Sequence, residues 1–191
     1  MSDSLKHIYA HFLLTEEHVS EIMAAHERIE VCKGHFLLEE GKTANEYFIL
    51  ESGLVRAFVD DYNGNEITTE FFTVNDIVIQ PASLFQRSPS QENIQSVTDA
   101  VLWKIDFDVF QELFYKFEGF PEWGRLWFSY QLFSVKQRSI EMITQSASQR
   151  YLNLLKEKPQ IIQQAPLKYI ASYLGITDTS LSRIRKEILE K

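Results

Sequence analysis

Two short segments with helical apolar spacing meet at Gly175, and nothing else in the chain restricts its fold so tightly. Ile170, Leu174, Ile176, Leu181 and Ile184 fall where a pair of crossed helices buries its contacts. Ala171 is small where the second helix crosses the first. Gly175 enters the left-handed conformation that reverses the chain. Thr177 is a good N-cap for the helix that follows. The spacing predicts a helix-turn-helix over 166–186. The outer face of its second helix then carries Asp178, Thr179, Ser182, Arg183 and Lys186, Ser180 lies in its first turn, and Lys168 stands on the first helix. Short polar side chains and an arginine suit a reader of the DNA major groove. The candidate DNA-binding set is therefore Lys168, Thr177, Asp178, Thr179, Ser180, Ser182, Arg183 and Lys186, with double-stranded DNA as the partner. The alternative is an ordinary helical hairpin.

Charge divides the chain at the same place. Residues 144–191 hold eight bases and four acids, a net of +4. The other 143 residues hold 11 bases and 23 acids, a net of −12. A basic tail on an acidic body points to a polyanion-binding end. A solvated basic helix surface is the plainer explanation of the charge alone.

Upstream, Leu5 to Arg28 reads as helical, with Thr15 as a cap. From Ile29 to Ile105 short β-type runs alternate with turns. The runs are Phe36–Leu38, Tyr47–Leu50, Leu54–Val59, Ile67–Val74 and one or two more in 94–105. Strands at this spacing predict a small β-roll. Past Ile105 the texture is helical again. Gly119-Phe120-Pro121 interrupts it, and Glu122 to about Thr144 forms a long amphipathic stretch. Trp123, Trp127 and Tyr130 lead its aromatic stripe, which needs a partner. That partner is either the roll of the same chain or a second copy, a homodimer. A further helix runs from Ser146 to Lys158 and ends at Pro159.

Several chemistries are disfavoured. One cysteine, Cys32, forms no internal disulfide and no cysteine-ligated cluster, and reads as a buried or half-buried structural thiol. All five histidines lie in the first 35 residues and none follows His35, so a metal-dependent enzyme in a roll lacks its ligands. His7 and His11 read as an exposed pair. No Gly-rich phosphate loop occurs. No apolar run approaches the ~18 residues of a membrane span, and Met1 to Glu17 lacks a leader pattern. The expectation is a cytoplasmic protein without a cofactor, and not an enzyme.

Taken together, the chain resembles the family of catabolite activator and fumarate–nitrate (Crp/Fnr) transcriptional regulators, in a short wingless variant. The resemblance covers nearly the whole chain. It rests on Tyr47 to Arg56 with Asn63 to Thr68 in the body, and on Ile170 to Ile176 with Leu181 to Arg185 in the tail. It implies an α+β architecture: a cyclic-nucleotide-binding-like β-roll with flanking helices over 1–121, a long dimerisation helix over 122–144, and a helix-turn-helix domain over 145–191. Cyclic-nucleotide-binding members hold the ribose with a Gly-Glu pair and the phosphate with an Arg followed by Ser or Thr. Here those places read Ile79-Gln80 and Ser90-Gln91. Burying a phosphate without a paired cation is expensive, so a response to cyclic AMP is not expected. Ile79, Gln80, Ser83, Arg87, Ser90 and Gln91 either line a pocket for an unidentified small-molecule effector or are plain loop residues. Without a wing, DNA affinity leans on Lys156, Lys158, Lys168 and the second helix. Two other functions remain open: a constitutive DNA binder with the roll as scaffold, and a small-molecule-binding signalling protein that has lost DNA binding.

Overall fold

The computed structural model describes residues 2–189; Glu190 and Lys191, counted above in the basic tail, lie outside the described residues. The expected single N-terminal helix is two: α1 (Asp3–Tyr9) and α2 (Glu16–Ala24). Thr15 starts the second, its Oγ1 accepting from the His18 N–H at 3.2 Å. Arg28 already lies in a strand.

Eight strands follow: β1 (Glu27–Val31), β2 (Phe36–Leu38), β3 (Glu46–Ser52), β4 (Val55–Asp60), β5 (Glu66–Phe72), β6 (Ile77–Val78), β7 (Asn93–Ser96) and β8 (Ala100–Asp106). They form two antiparallel sheets, ordered β1-β8-β3-β6 and β2-β7-β4-β5. Between β6 and β7 lies the short helix α3 (Pro81–Gln86). Gly53 sits at φ 97°, and a Cβ there would fall 2.5 Å from the Asp99 carbonyl oxygen, so only glycine fits the turn between β3 and β4. Ile49, Leu50, Leu102 and Ile105 are fully buried between the sheets and helices. Each such side chain contributes roughly 2 kcal/mol by its removal from water.

The helices after the roll are α4 (Phe107–Lys116), α5 (Gly119–Thr144), α6 (Ala147–Glu157), α7 (Pro159–Gln164), α8 (Leu167–Tyr173) and α9 (Asp178–Leu189). Two differ from expectation. Helix α5 begins at Gly119, before Glu122, because Pro121 lies in the first turn, where a missing N–H breaks no helical bond. Helix α7 is an addition to the expected elements: Pro159 ends α6 and is also the first residue of α7.

Long helix α5 changes role along its length. Its first turns are core: Trp123 is buried against Tyr9 and Phe120, and its Nε1–H donates to the Ile8 carbonyl at 2.8 Å. Trp123 therefore packs in the core of its own chain, one of the two partners open to the stripe, and is not available to a second copy. Trp127 packs half-buried on the same core. Tyr130 is the first of the three to face solvent, at 69% exposure. Beyond it Leu132, Phe133, Val135 and Ile143 are all exposed.

The tail packs on the roll. Tyr151, Leu154, Ile161, Ile170, Ala171 and Leu181 share one buried cluster with Leu54, Phe71 and Val97 of the roll. Cys32 is exposed, because it falls in the turn after β1 instead of under the sheets.

Candidate nucleic-acid interface and roll pocket

The tail builds the expected helix pair. Leu181 and Ile184 of α9 are buried with Ile170, Ala171 and Leu174 of the α8 region. Gly175 turns the chain at φ 67°. Thr177 caps α9, its Oγ1 accepting from the Ser180 N–H at 3.2 Å. With that face inward, Asp178, Thr179, Ser182, Arg183 and Lys186 are exposed, as is Lys168 on α8. Ser180 is drawn into the cap, its Oγ 3.0 Å from Thr177 Oγ1, so these two of the expected contact residues shape the helix start. Arg183 lies 3.8 Å from Glu187, and both side chains are mostly exposed. Such a pair holds an arginine weakly, by less than about 1 kcal/mol. Arg183 is thus free to reach outward.

Lys158, expected to face a polyanion, points the other way. Its Nζ lies 3.2 Å from Asp76 of the roll, and charge attraction from Asp76 holds its pKa above the usual lysine range despite opposing burial. It is one of several tethers between tail and roll. The Thr68 N–H on β5 donates to Ser172 Oγ at 3.1 Å. Arg138 of α5 donates to the Thr69 and Tyr173 carbonyls.

Another tether was not legible beforehand. Arg56 on β4 is completely buried. Its guanidinium lies 4.0 Å from the Phe58 ring centre and 3.4 Å from that of Tyr169 on α8. Nη2 donates to Glu66 at 2.6 Å and to Gln95 at 3.2 Å. A guanidinium between two rings joins cation–π attraction to ion pairing. In the sequence, Arg56 occupies a polar place in an alternating strand, which reads as solvent-facing; the α8 ring that covers it comes from 113 residues downstream.

In the roll, the six candidate pocket residues do not converge. Ile79 and Gln80 line a cavity of about 20 Å³ with Leu37, Leu38, Glu46 and Ile94 among their neighbours. Gln80 Oε1 caps α3 by accepting from the Ser83 N–H at 2.7 Å. Ser83 is fully buried, accepting from the Ala44 N–H at 2.9 Å and donating to the Ser88 carbonyl at 2.7 Å. Arg87, at φ 55°, donates to the Ala44 carbonyl at 2.6 Å and to Asn45 Oδ1. Ser90 closes a local turn with Glu92, and Gln91 is exposed. The ionisable group on the cavity wall is Glu46, whose pKa burial raises, with Lys104 opposing.

A second buried polar group went unread in the sequence. His26 Nδ1–H donates to the Ile22 carbonyl at 2.8 Å, so Nε2 of the neutral ring accepts from the Tyr9 hydroxyl at 3.0 Å. Tyr9 in turn accepts from the Tyr47 hydroxyl at 2.7 Å. Burial lowers the His26 pKa to about 4. His11 is half-buried, and the described residues hold no group of three or more potential metal ligands. No helix among them is long and apolar enough to cross a membrane.

Residues 28–116 match the cyclic nucleotide-binding domain family. A 115-residue stretch is 22% identical to the cAMP-dependent protein kinase type II regulatory subunit of Drosophila melanogaster. That match covers 60% of this chain and 29% of that protein, so the chain spans under a third of this relative. Over its full fold the chain is similar to the c-di-GMP responsive global regulator CLP of Xanthomonas campestris, with 16% identity, 92% of each chain covered and a TM-score of 0.68. It is similar also to the Thermus thermophilus catabolite activator protein, with 16% identity, 98% of this chain and 87% of that one covered, and a TM-score of 0.59.

Proposed function

We propose that the chain, whose residues 28–116 match the cyclic nucleotide-binding domain family and whose fold is of the Crp/Fnr type, is a homodimeric, DNA-binding transcriptional regulator that does not respond to cyclic AMP. The observation that carries DNA binding is the exposed polar face of α9, with Thr179, Ser182 and Arg183 outward while Leu181 and Ile184 are buried. The likeness in fold to a catabolite activator protein supports it. Homodimerisation is supported by exposed apolar side chains of α5 such as Leu132 and Ile143. Two such subunits would set their α9 helices about 34 Å apart, one turn of duplex. The proposal assigns no catalytic step.

Three features support indifference to cyclic AMP. The roll cavity of about 20 Å³ admits no nucleotide. Arg87, the nearby cation, is committed to Ala44 and Asn45. Glu46 on the cavity wall would repel a phosphate. The same filled cavity favours a second reading, a constitutive DNA binder whose roll is scaffold only.

Selection of bound sequences from random duplex DNA tests the proposal. The expected result is enrichment of a palindrome with half-site centres about 10 base pairs apart. Failure to enrich any sequence would overturn DNA-directed regulation. Calorimetry should show no cyclic AMP binding below millimolar concentration.

A further inference from the structure

Roll, long helix and tail enclose a cleft of about 640 Å³, walled by β5, α5, α6 and the end of α8. Three cations border it, and each is engaged. Arg138 donates to two carbonyls and lies 3.9 Å from the Tyr173 ring centre. Arg150 donates to the Gln145 and Leu174 carbonyls at 2.6 and 2.8 Å. Lys158 is paired with Asp76.

The four glutamates of the lining are differently placed. Glu141 accepts one hydrogen bond from Gln137. The carboxylates of Glu70, Glu92 and Glu157 have neither hydrogen bond nor ion pair among the described residues. Glu70 is exposed at the cleft wall on β5, and the protein around its carboxylate raises its pKa by partial desolvation. Lys158 and Arg138 oppose that rise, and Asp76 and Glu92 add to it. Thr69 Oγ1, on the same wall, is buried without a partner. Tyr130 and Phe133 of α5, both largely exposed, are the aromatic side chains of α5 in the lining. With one of the three cations neutralised by Asp76, carboxylates outnumber available positive charge, and an anion entering the cleft would meet repulsion.

We propose that this cleft binds an organic ammonium ion with a flat apolar body, its nitrogen among the Glu70, Glu92 and Glu157 carboxylates and its body against Tyr130 and Phe133. Charge-assisted hydrogen bonds and ring contact with a cation supply the recognition. An occupant touches roll, long helix and tail at once, so it bears on how the tail sits. The proposal goes beyond DNA binding and does not rest on it.

Three indoles differing chiefly in charge test it: tryptamine, indole-3-ethanol and indole-3-acetate, titrated calorimetrically into the full-length, DNA-free protein. Tryptamine should bind at least tenfold more tightly than the neutral and anionic compounds. Glu70→Gln and, separately, Glu157→Gln should each weaken tryptamine by roughly tenfold, leaving indole-3-ethanol unchanged. Glu112→Gln, outside the cleft, should change nothing. Equal binding of all three, preference for the acetate, insensitivity to both cleft variants, or no tryptamine binding at 10-millimolar ligand would each overturn the proposal. Because DNA is absent, failure here leaves the DNA selection result standing, and the reverse.

Discussion

At the scale of the residue, two buried polar side chains and one exposed arginine carry the sharpest expectations. Arg56 has no exposed surface, and Glu66 is its carboxylate partner. Removing one member of such a pair leaves a charge uncompensated and costs about 3 kcal/mol. Glu66→Ala should lower the urea midpoint accordingly, whereas Glu30→Ala, which breaks the exposed pair with Arg28, should barely move it. His26 sets a pH window. Its folded pKa, about 4, lies below the unfolded value of 6.5. Above pH 6.5 neither state is protonated and its contribution is complete. As pH falls through that value the unfolded chain takes up the proton first, and roughly 3 kcal/mol is lost on the way to pH 4. The difference in stability between wild type and His26→Asn, measured by urea unfolding at pH 7 and 4.5, should therefore shrink at the lower pH. Arg183 is the residue expected to read a base. Arg183→Ala should flatten preference at one base pair per half-site, a loss of about 1–3 kcal/mol in discrimination. An equal loss of affinity for specific and random duplexes would make it a phosphate clamp instead.

Among the elements, α5 separates what the sequence makes legible from what it hides. Its length and aromatic content follow from spacing alone. Which aromatics face inward does not, because Trp123 and Tyr130 look alike until Tyr9 and the Ile8 carbonyl are known to lie beside the first. A dimer test therefore belongs further along the helix than Trp127. Leu132→Glu with Val135→Glu, both on exposed positions, should give monomers in sedimentation at micromolar concentration without loss of helix content. A wild type already monomeric there would remove the dimer. The helix-turn-helix was legible almost residue by residue, since Ala171, Gly175 and Thr177 each answer a local backbone or packing demand. Six of the eight β-roll strands were legible from turns and alternation; β1, whose first residues read as helix, and the two-residue β6 were not. Helix α7 was missed because Pro159, read as a stop, also serves as a first helical residue. The pocket segment was legible only as a departure from the family pattern. Its polar residues close their own loop, and sequence does not show a hydrogen bond's direction.

For the whole molecule, the features hidden from sequence are those whose walls lie far apart in the chain. The cleft joins Thr69, Arg138 and Lys158, and the tail's core borrows Leu54, Phe71 and Val97. Docking of tail on roll carries its own expectation. Ser172→Ala removes the acceptor of the Thr68 N–H, whose residue is only 1% exposed. The orphaned donor should cost about 1–3 kcal/mol and speed hydrogen exchange at the Thr68 amide, while amides in β8 keep wild-type rates. Helix α5 has a mechanical consequence as well. It is clamped in the core at Trp123 and has no glycine or proline from Arg125 to its end at Thr144. At 1.5 Å per residue that span is a rod of roughly 30 Å. A tilt of about 5° at the clamp swings the far end by roughly 3 Å, nearly a base-pair step. Under the proposed DNA binding, repacking around Tyr9 and Phe120 that also loosens the Arg138 tether to the Thr69 carbonyl would be geared up into a displacement of the tail against the duplex.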